Sequence, residues 1–263
     1  MRSWDYNFHS HTYRCGHAEG QDEDYVYAAI KAGFKTLGFS DHVFLPGIHE
    51  PRMRGDVSML DDYIHSIELL RKRYEGVIDI YKGFEAEYSP DFEEYYRDLL
   101  NNKGIEYLIL GQHSLYKEGK MHWYSASFEK EESIRAYARD LIKGMESGLF
   151  LYVNHPDFFL IFYHEWLDVM EECSREIALA SKRLGVPLEV NMAHGRFGLP
   201  EERGSADYPF PRFWDIVSEV GCDVVMGVDA HRPAEYQTTR YELFEDFAKR
   251  HNLHVVTPKV AHK

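Results

Sequence analysis

The chain has 263 residues, 44% hydrophobic and 28% charged, with 19 glycines and 10 prolines, a mixture that excludes disordered, collagen-like and coiled-coil classes. Its 44 acidic against 30 basic residues leave a net charge of −14, which argues against nucleic acid as a partner, because that surface needs clustered Lys and Arg. Cys15, Cys173 and Cys222 form no CxxC pair, the opening MRSWDYNFHS has no apolar signal segment, and the longest apolar run, 158–163, is too short for a membrane span, so one cytoplasmic domain over 1–263 is expected, without disulfides or membrane contact.

Short β-like runs alternate with longer helix-like runs, with no repeat, low-complexity tract or linker. In chain order the pattern predicts strand 5–9, helix 22–32, strand 35–40, helix 59–74, strand 77–84, helix 92–101, strand 105–110 and helix 130–147. Strand 149–154, helix 166–184, strand 186–191, helix 212–220, strand 223–228 and helix 240–250 follow, with 253–257 either an eighth strand or a tail. Several of these helices stop at a glycine, such as Gly185 and Gly221, the usual residue just past a last turn. Repeated βα units imply parallel strands. No GxGxxG or GxxxxGK[ST] follows the first strand, as an open nucleotide-binding sheet would show. The preferred architecture is therefore an α/β barrel of the TIM-like kind, whose usual size is roughly 250 residues.

Six of the seven main strands end in a His, Asp or Glu. These are His9-Ser10-His11 with His17 soon after, Ser40-Asp41-His42, Glu85, His113, His155-Pro156-Asp157 and Asp229-Ala230-His231. In a barrel the C-terminal strand ends form the active-site face, so the groups should converge. His9 and His11 are two residues apart on a strand and share a face, as do Asp229 and His231. Any one of these histidines alone reads as an ordinary core or surface residue, and their joint placement carries the metal reading. Seven imidazoles and two carboxylates suit two or three divalent ions (Zn, Mn or Fe), with Glu85 placed to bridge. Such a centre would take an anion, most naturally a phosphate ester. His49, His65, His122, His164, His251, His254 and His262 lack this placement and read as ordinary residues. His194 is kept as a substrate-side candidate.

The ordered set resembles the PHP (polymerase and histidinol phosphatase) superfamily over residues 5–236, and within it the histidinol-phosphatase branch. The stretches that carry the resemblance are Phe8-His-Ser-His-Thr12 with Cys15-Gly-His-Ala18, Gly83-Phe-Glu-Ala-Glu-Tyr88 followed by Pro90, Glu189-Val-Asn191, and Asp229-Ala-His-Arg-Pro233. It implies a distorted (β/α)7 barrel with the metal site at the C-terminal strand ends. By position, one ion would take His9, His11, Glu85 and Asp229, a second His17, His42 and His231, and a third Glu85, His113 and His155. Val228 stands where the branch usually has Ser, and Gly111-Gln-His113-Ser replaces its usual Gly-Ser-Val-His. The stretch 117–127 is also unlike the branch. None of these departures removes a ligand.

The expected reaction is hydrolysis of L-histidinol phosphate to L-histidinol and phosphate by a metal-activated hydroxide, with Asp229, His231 and Glu85 as the catalytic set. Arg196 is the first candidate phosphate clamp, then Arg232, then Arg52 or Arg54. Asp41 and Asp157 adjoin ligands and are candidates for orienting imidazoles. Glu87, Tyr88, Asp157 and Phe158 could form a rim for a cationic, imidazole-bearing alcohol. The alternatives are a PHP-type phosphoesterase for a nucleotide or other small phosphoester, or a metal-binding barrel without catalysis. An amidohydrolase-like barrel is disfavoured, because no lysine sits at a bridging position on a middle strand.

Overall fold

The computed structural model describes residues 3–163, 165–199 and 208–260, apart from the side chains of 125 and 126; His164 and His262 therefore lie outside the described residues. Strands β1 (Tyr6–Asn7), β2 (Thr36–Phe39), β3 (Asp79–Ala86) and β4 (Tyr107–Leu110) form one parallel sheet in that order, with Tyr6 opposite Thr36, Leu37 opposite Ile80 and Phe84 opposite Leu108. Strands β5 (Ser114–Lys117) and β6 (Lys120–Trp123) make an antiparallel hairpin. Strands β7 (Leu188–Asn191), β8 (Asp223–Gly227) and β9 (His254–Val255) form a second parallel set. Single-residue parallel bridges join the two sets: Leu110 to Val153 and Val153 to Leu188 on one side, Ser10 to Ala230 on the other. The result is a mixed α/β fold around a curled parallel sheet.

Helices cover the outside. They are α1 (Asp22–Lys31), α2 (Leu60–Arg73), α3 (Glu93–Asn102), α4 (Tyr124–Ser127), α5 (Lys130–Glu146), α6 (Asp168–Leu184), α7 (Pro211–Val220), α8 (Glu235–Thr238) and α9 (Tyr241–Arg250). In α6 the buried Val169, Met170, Cys173, Ile177, Ala178 and Ala180 recur at helical spacing and form the inward stripe. Asp168 and Glu171 sit in its first turn and Lys182 and Arg183 in its last, each sign favourable to the helix dipole. The helix stops at Gly185, whose φ of 66° is left-handed, a conformation that costs residues with a Cβ. All four residues of β4 are buried, as expected of a strand covered on both faces. No helix among the described residues is long and apolar enough to cross a membrane, and the three cysteines are buried and free.

Several segments depart from the sequence expectations, and one that the sequence left open is settled. The strand expected at 149–154 is reduced to the bridge at Val153, because the chain turns at His155 (φ 32°) just before Pro156. The hairpin has a two-residue turn with Glu118 at φ 52° and Gly119 at φ 79°, the positive pair that matches strand twist. The 253–257 segment contains a strand, with Asp223 opposite His254 and Val224 opposite Val255. The Tyr6 hydroxyl donates to Val256 O at 2.7 Å and accepts from Met226 N at 3.2 Å, tying β1, β8 and the tail together.

Candidate metal centre

The parallel strands all run toward one end, and the chain leaving them there carries the polar groups. Glu85, near the end of β3, is the hub. Its Oε2 lies 3.1 Å from His42 Nδ1, 3.3 Å from His11 Nε2 and 3.7 Å from His9 Nε2. Its Oε1 lies 2.9 Å from His155 Nε2 and 3.4 Å from His113 Nε2. Beside it, Asp229 Oδ1 is 3.4 Å from both His9 Nε2 and His11 Nε2, and 3.3 Å from His231 Nδ1. His17 closes the far side, its Nε2 3.0 Å from that of His231. All nine residues expected to converge do so. Seven of them are buried, while His231 is partly and His17 largely exposed.

Much of this buried polarity lacks hydrogen-bond partners among the described residues. His9 Nε2, both nitrogens of His11, His42 Nδ1 and Asp229 Oδ1 are buried without one. Unmatched buried polar atoms are costly, and imidazole nitrogens facing carboxylate oxygens form a fitting donor set for Zn²⁺ or a similar ion. His11, His42 and His231 each bring a ligand atom within 4.8 Å of the others, as do His9, His155 and Asp229, and His9, His11 and Glu85. The electrostatics divide the histidines, since the facing carboxylates outweigh burial and raise His9 and His113. Burial opposes the charge on Glu85 and Asp229, but the surrounding histidines outweigh it and hold both well below the usual carboxylate range. Burial, with His11 close by, lowers His231 to about 3, and burial also holds His42 well below its ordinary value, so both are neutral imidazoles at pH 7.

Two buried carboxylates brace the ring from behind. Glu189 on β7 accepts from His9 Nδ1 with both oxygens at 3.0 Å, turning Nε2 into the site. Asn191 donates to Glu189 at 2.7 Å and to Asp229 Oδ2 at 3.2 Å. The sequence had a signal for this pair, since Glu and Asn at period two in an otherwise apolar strand share one face. Glu87 lies 3.5 Å from His113 Nδ1 and is held by Arg54 through contacts of 3.0 and 3.2 Å. His155 and Asp229 are the two non-glycine residues at the site with positive φ, at 32° and 51°, a strain characteristic of functional positions.

The other candidates fall in different places. Arg54 is corrected from substrate clamp to internal brace, because it is 2% exposed and paired with Glu87 and Glu50. Arg196 is also buried. It donates to Asp229 O at 3.2 Å and Ala193 O at 2.9 Å, and lies 2.6 Å from Glu235. Arg232 is at the exposed rim beside Glu19, 3.1 Å away. His194 is exposed and packs on Tyr208, ring centroids 4.5 Å apart. Asp41 binds the N–H and hydroxyl of Thr12 at 2.6 and 2.7 Å, fixing the loop after β1. Asp157 accepts from Phe210 N at 2.7 Å and Trp214 Nε1 at 3.1 Å. Neither carboxylate makes a hydrogen bond to an imidazole among the described contacts, so their expected orienting role is replaced by loop and helix anchoring. Glu87 belongs to the bracing layer rather than an open rim, whereas Phe158 does stand at the site, 5.3 Å from both His113 and His155.

A parallel α/β sheet whose strand ends gather seven imidazoles around two carboxylates defines a candidate metal centre. The PHP domain family matches residues 7–193, and the chain belongs to that family. It is 30% identical over 231 residues to a Deinococcus radiodurans protein named "Probable histidinol-phosphatase", covering 86% of each chain. It is 33% identical over 115 residues to the histidinol-phosphatase of Bacillus subtilis, covering 41% of this chain and 43% of the relative. Among solved structures, the histidinol phosphate phosphatase of Lactococcus lactis, complexed with zinc, L-histidinol and phosphate, shares the fold with a TM-score of 0.70 at 17% identity over 97% of both chains.

Proposed function

We propose that this protein is a metal-dependent phosphomonoesterase that hydrolyses L-histidinol phosphate to L-histidinol and phosphate. The observation that carries this reading is the buried Glu85 with five imidazoles around it, several of their nitrogens unmatched. The names of the relatives, and the ligands of the Lactococcus lactis structure, supply the substrate. We also read the two sets of bridges as closing a distorted seven-stranded barrel, with Val153 standing in for one strand.

His9, His11, Glu85 and Asp229 would hold one ion, His17, His42 and His231 a second, and Glu85, His113 and His155 a third. Ions bound there supply Lewis-acid stabilisation of the phosphoryl charge and acidify the attacking water. The protein's own part is placement. Glu189 and Glu87 fix the faces that His9 and His113 present, and Arg196 holds the backbone of Asp229. Arg232, next to His231 in the chain, and His194, packed on Tyr208 whose ring lies 5.9 Å from that of His155, are assigned to the substrate phosphate. Arg232 is exposed and pairs with Glu19 at 3.1 Å and with Glu235 at 3.8 Å, solvent-screened contacts that a phosphate can replace.

The test is inorganic phosphate release from L-histidinol phosphate, with and without chelator pretreatment. Release that is abolished by chelator and restored by zinc or manganese is expected. A metal-replete protein that releases none would overturn the substrate assignment, and undiminished release after complete metal removal would overturn the centre.

A further inference from the structure

A cleft of about 400 Å³ opens beside the centre, within the size range of small-molecule sites. Its wall comes from two unconnected segments, the loop carrying Glu50, Arg52 and Met53, and the hairpin carrying Met121 and Trp123; His113 lies among the lining residues. His113 therefore belongs both to the cleft and to the Glu85 cluster. An ester whose phosphorus sits among the imidazoles has this cleft beside it for the departing alcohol.

Trp123 is the largest apolar group on that wall and is 46% exposed. It is not stray surface. Its ring centroid lies 6.4 Å from both Phe158 and Phe162, and Phe158 packs against His113 and His155 at 5.3 Å. The aromatic contacts thus run unbroken from the buried imidazoles to the indole at the mouth. One acid, Glu50, and one base, Arg52, lie across the same cleft. A half-open indole with Glu50, held by Arg54 at 2.9 Å, and the exposed Arg52 nearby suits an alcohol that has a flat polar ring and a charged group.

We infer that Trp123 is a specificity-determining residue whose indole stacks on a heteroaromatic ring in the leaving alcohol. This rests on the phosphomonoesterase reading above and adds the surface that selects the substrate. The hairpin places the ring, so specificity is carried by a segment outside the parallel sheet.

The experiment uses the full-length, metal-replete protein as wild type, Trp123→Ala and Trp123→Phe. L-Histidinol binding is measured by calorimetry, and kcat and KM are measured for L-histidinol phosphate and for 2-aminoethyl phosphate, which has the cation without the ring. In Trp123→Ala the Kd for L-histidinol and the KM for its phosphate should rise about five- to tenfold, the scale of one aromatic stacking contact. The preference for the ring-bearing ester should fall by the same factor, and Trp123→Phe should recover most of it. An unchanged preference, with both esters affected alike, overturns the inference. If the wild type does not hydrolyse L-histidinol phosphate, the substrate reading fails by itself. The inference is then judged on phenyl phosphate against ethyl phosphate, where a preference that survives Trp123→Ala overturns it. Absence of turnover on every ester overturns both.

Discussion

Glu189 gives His9 its orientation, holding Nδ1 with a hydrogen bond that no other side chain makes among the described residues. Its two oxygens take the Nδ1 proton at 3.0 Å, leaving Nε2 to face Glu85 and Asp229. Glu189→Gln removes the charge while keeping the shape, and should lower metal affinity about 10- to 100-fold. Zinc retained in competition with a graded series of chelators measures this, and an affinity equal to wild type would refute the bracing role. A Cβ on Gly111 would overlap the Glu85 carboxylate and meet Asn154 Nδ2 at 2.8 Å. Gly111→Ala should therefore displace the hub, cutting activity at least about tenfold and destabilising the fold by roughly 1–3 kcal/mol; a full complement of bound metal with wild-type activity would show that the site can yield. At this scale the inward-facing candidates were legible, because each follows a strand end and strand direction is readable from βα alternation. Arg54 was not. A lone arginine in sequence reads as an available cation, and its partner Glu87, 33 residues on, is brought to it only by the fold.

Helices and strands were easier to read than single-residue pairings. Helix α6 ends where the sequence places its end, at Gly185, and an added Cβ there would meet nothing within 4 Å. Gly185→Ala should therefore cost only the left-handed backbone, about 1–2 kcal/mol, with activity preserved. Urea unfolding measures it, and a cost near zero would mean that the helix end adjusts freely. The strands missed altogether are those of the hairpin, and the one-turn helices α4 and α8 were missed as well. The hairpin's Lys117-Glu-Gly-Lys120 turn is short and its strands are half-exposed, so the hydrophobic alternation that marks a strand is weak. The Val153 segment erred the other way. Its apolar run reads as a full strand, but Asn154 and His155 leave the extended path to reach Glu85, and pairing shrinks to one residue.

At the scale of the molecule, the centre ties together the two ends of the described chain. Bound metal should stabilise the whole fold by linkage, raising the melting temperature by roughly 5 to 10 °C when free ion is about 100-fold above its Kd. Calorimetry with and without chelator measures it, and coincident melts would mean that the ion does not bind the folded chain in preference to the unfolded one. A chain ending at Asn252 loses β9 and the Val256 acceptor of Tyr6, and should melt several degrees lower, by about 1–3 kcal/mol for the unpaired buried hydroxyl alone. Sequence left the role of that tail open, since two paired residues carry almost no periodic signal. The pairing of Ser10 with Ala230 also bears on how the protein is made. A ribosome adding about 5–20 residues per second needs roughly ten to forty-five seconds to pass from one of those residues to the other. For most of that interval His9 and His11 are outside the exit tunnel while Asp229 and His231 do not yet exist. The complete ligand set can be loaded only after synthesis of the last sheet strands. Until then the nascent half-sheet carries an unpaired apolar edge and a cluster of bare imidazoles, the stage at which a chaperone or a stray metal ion has its opportunity.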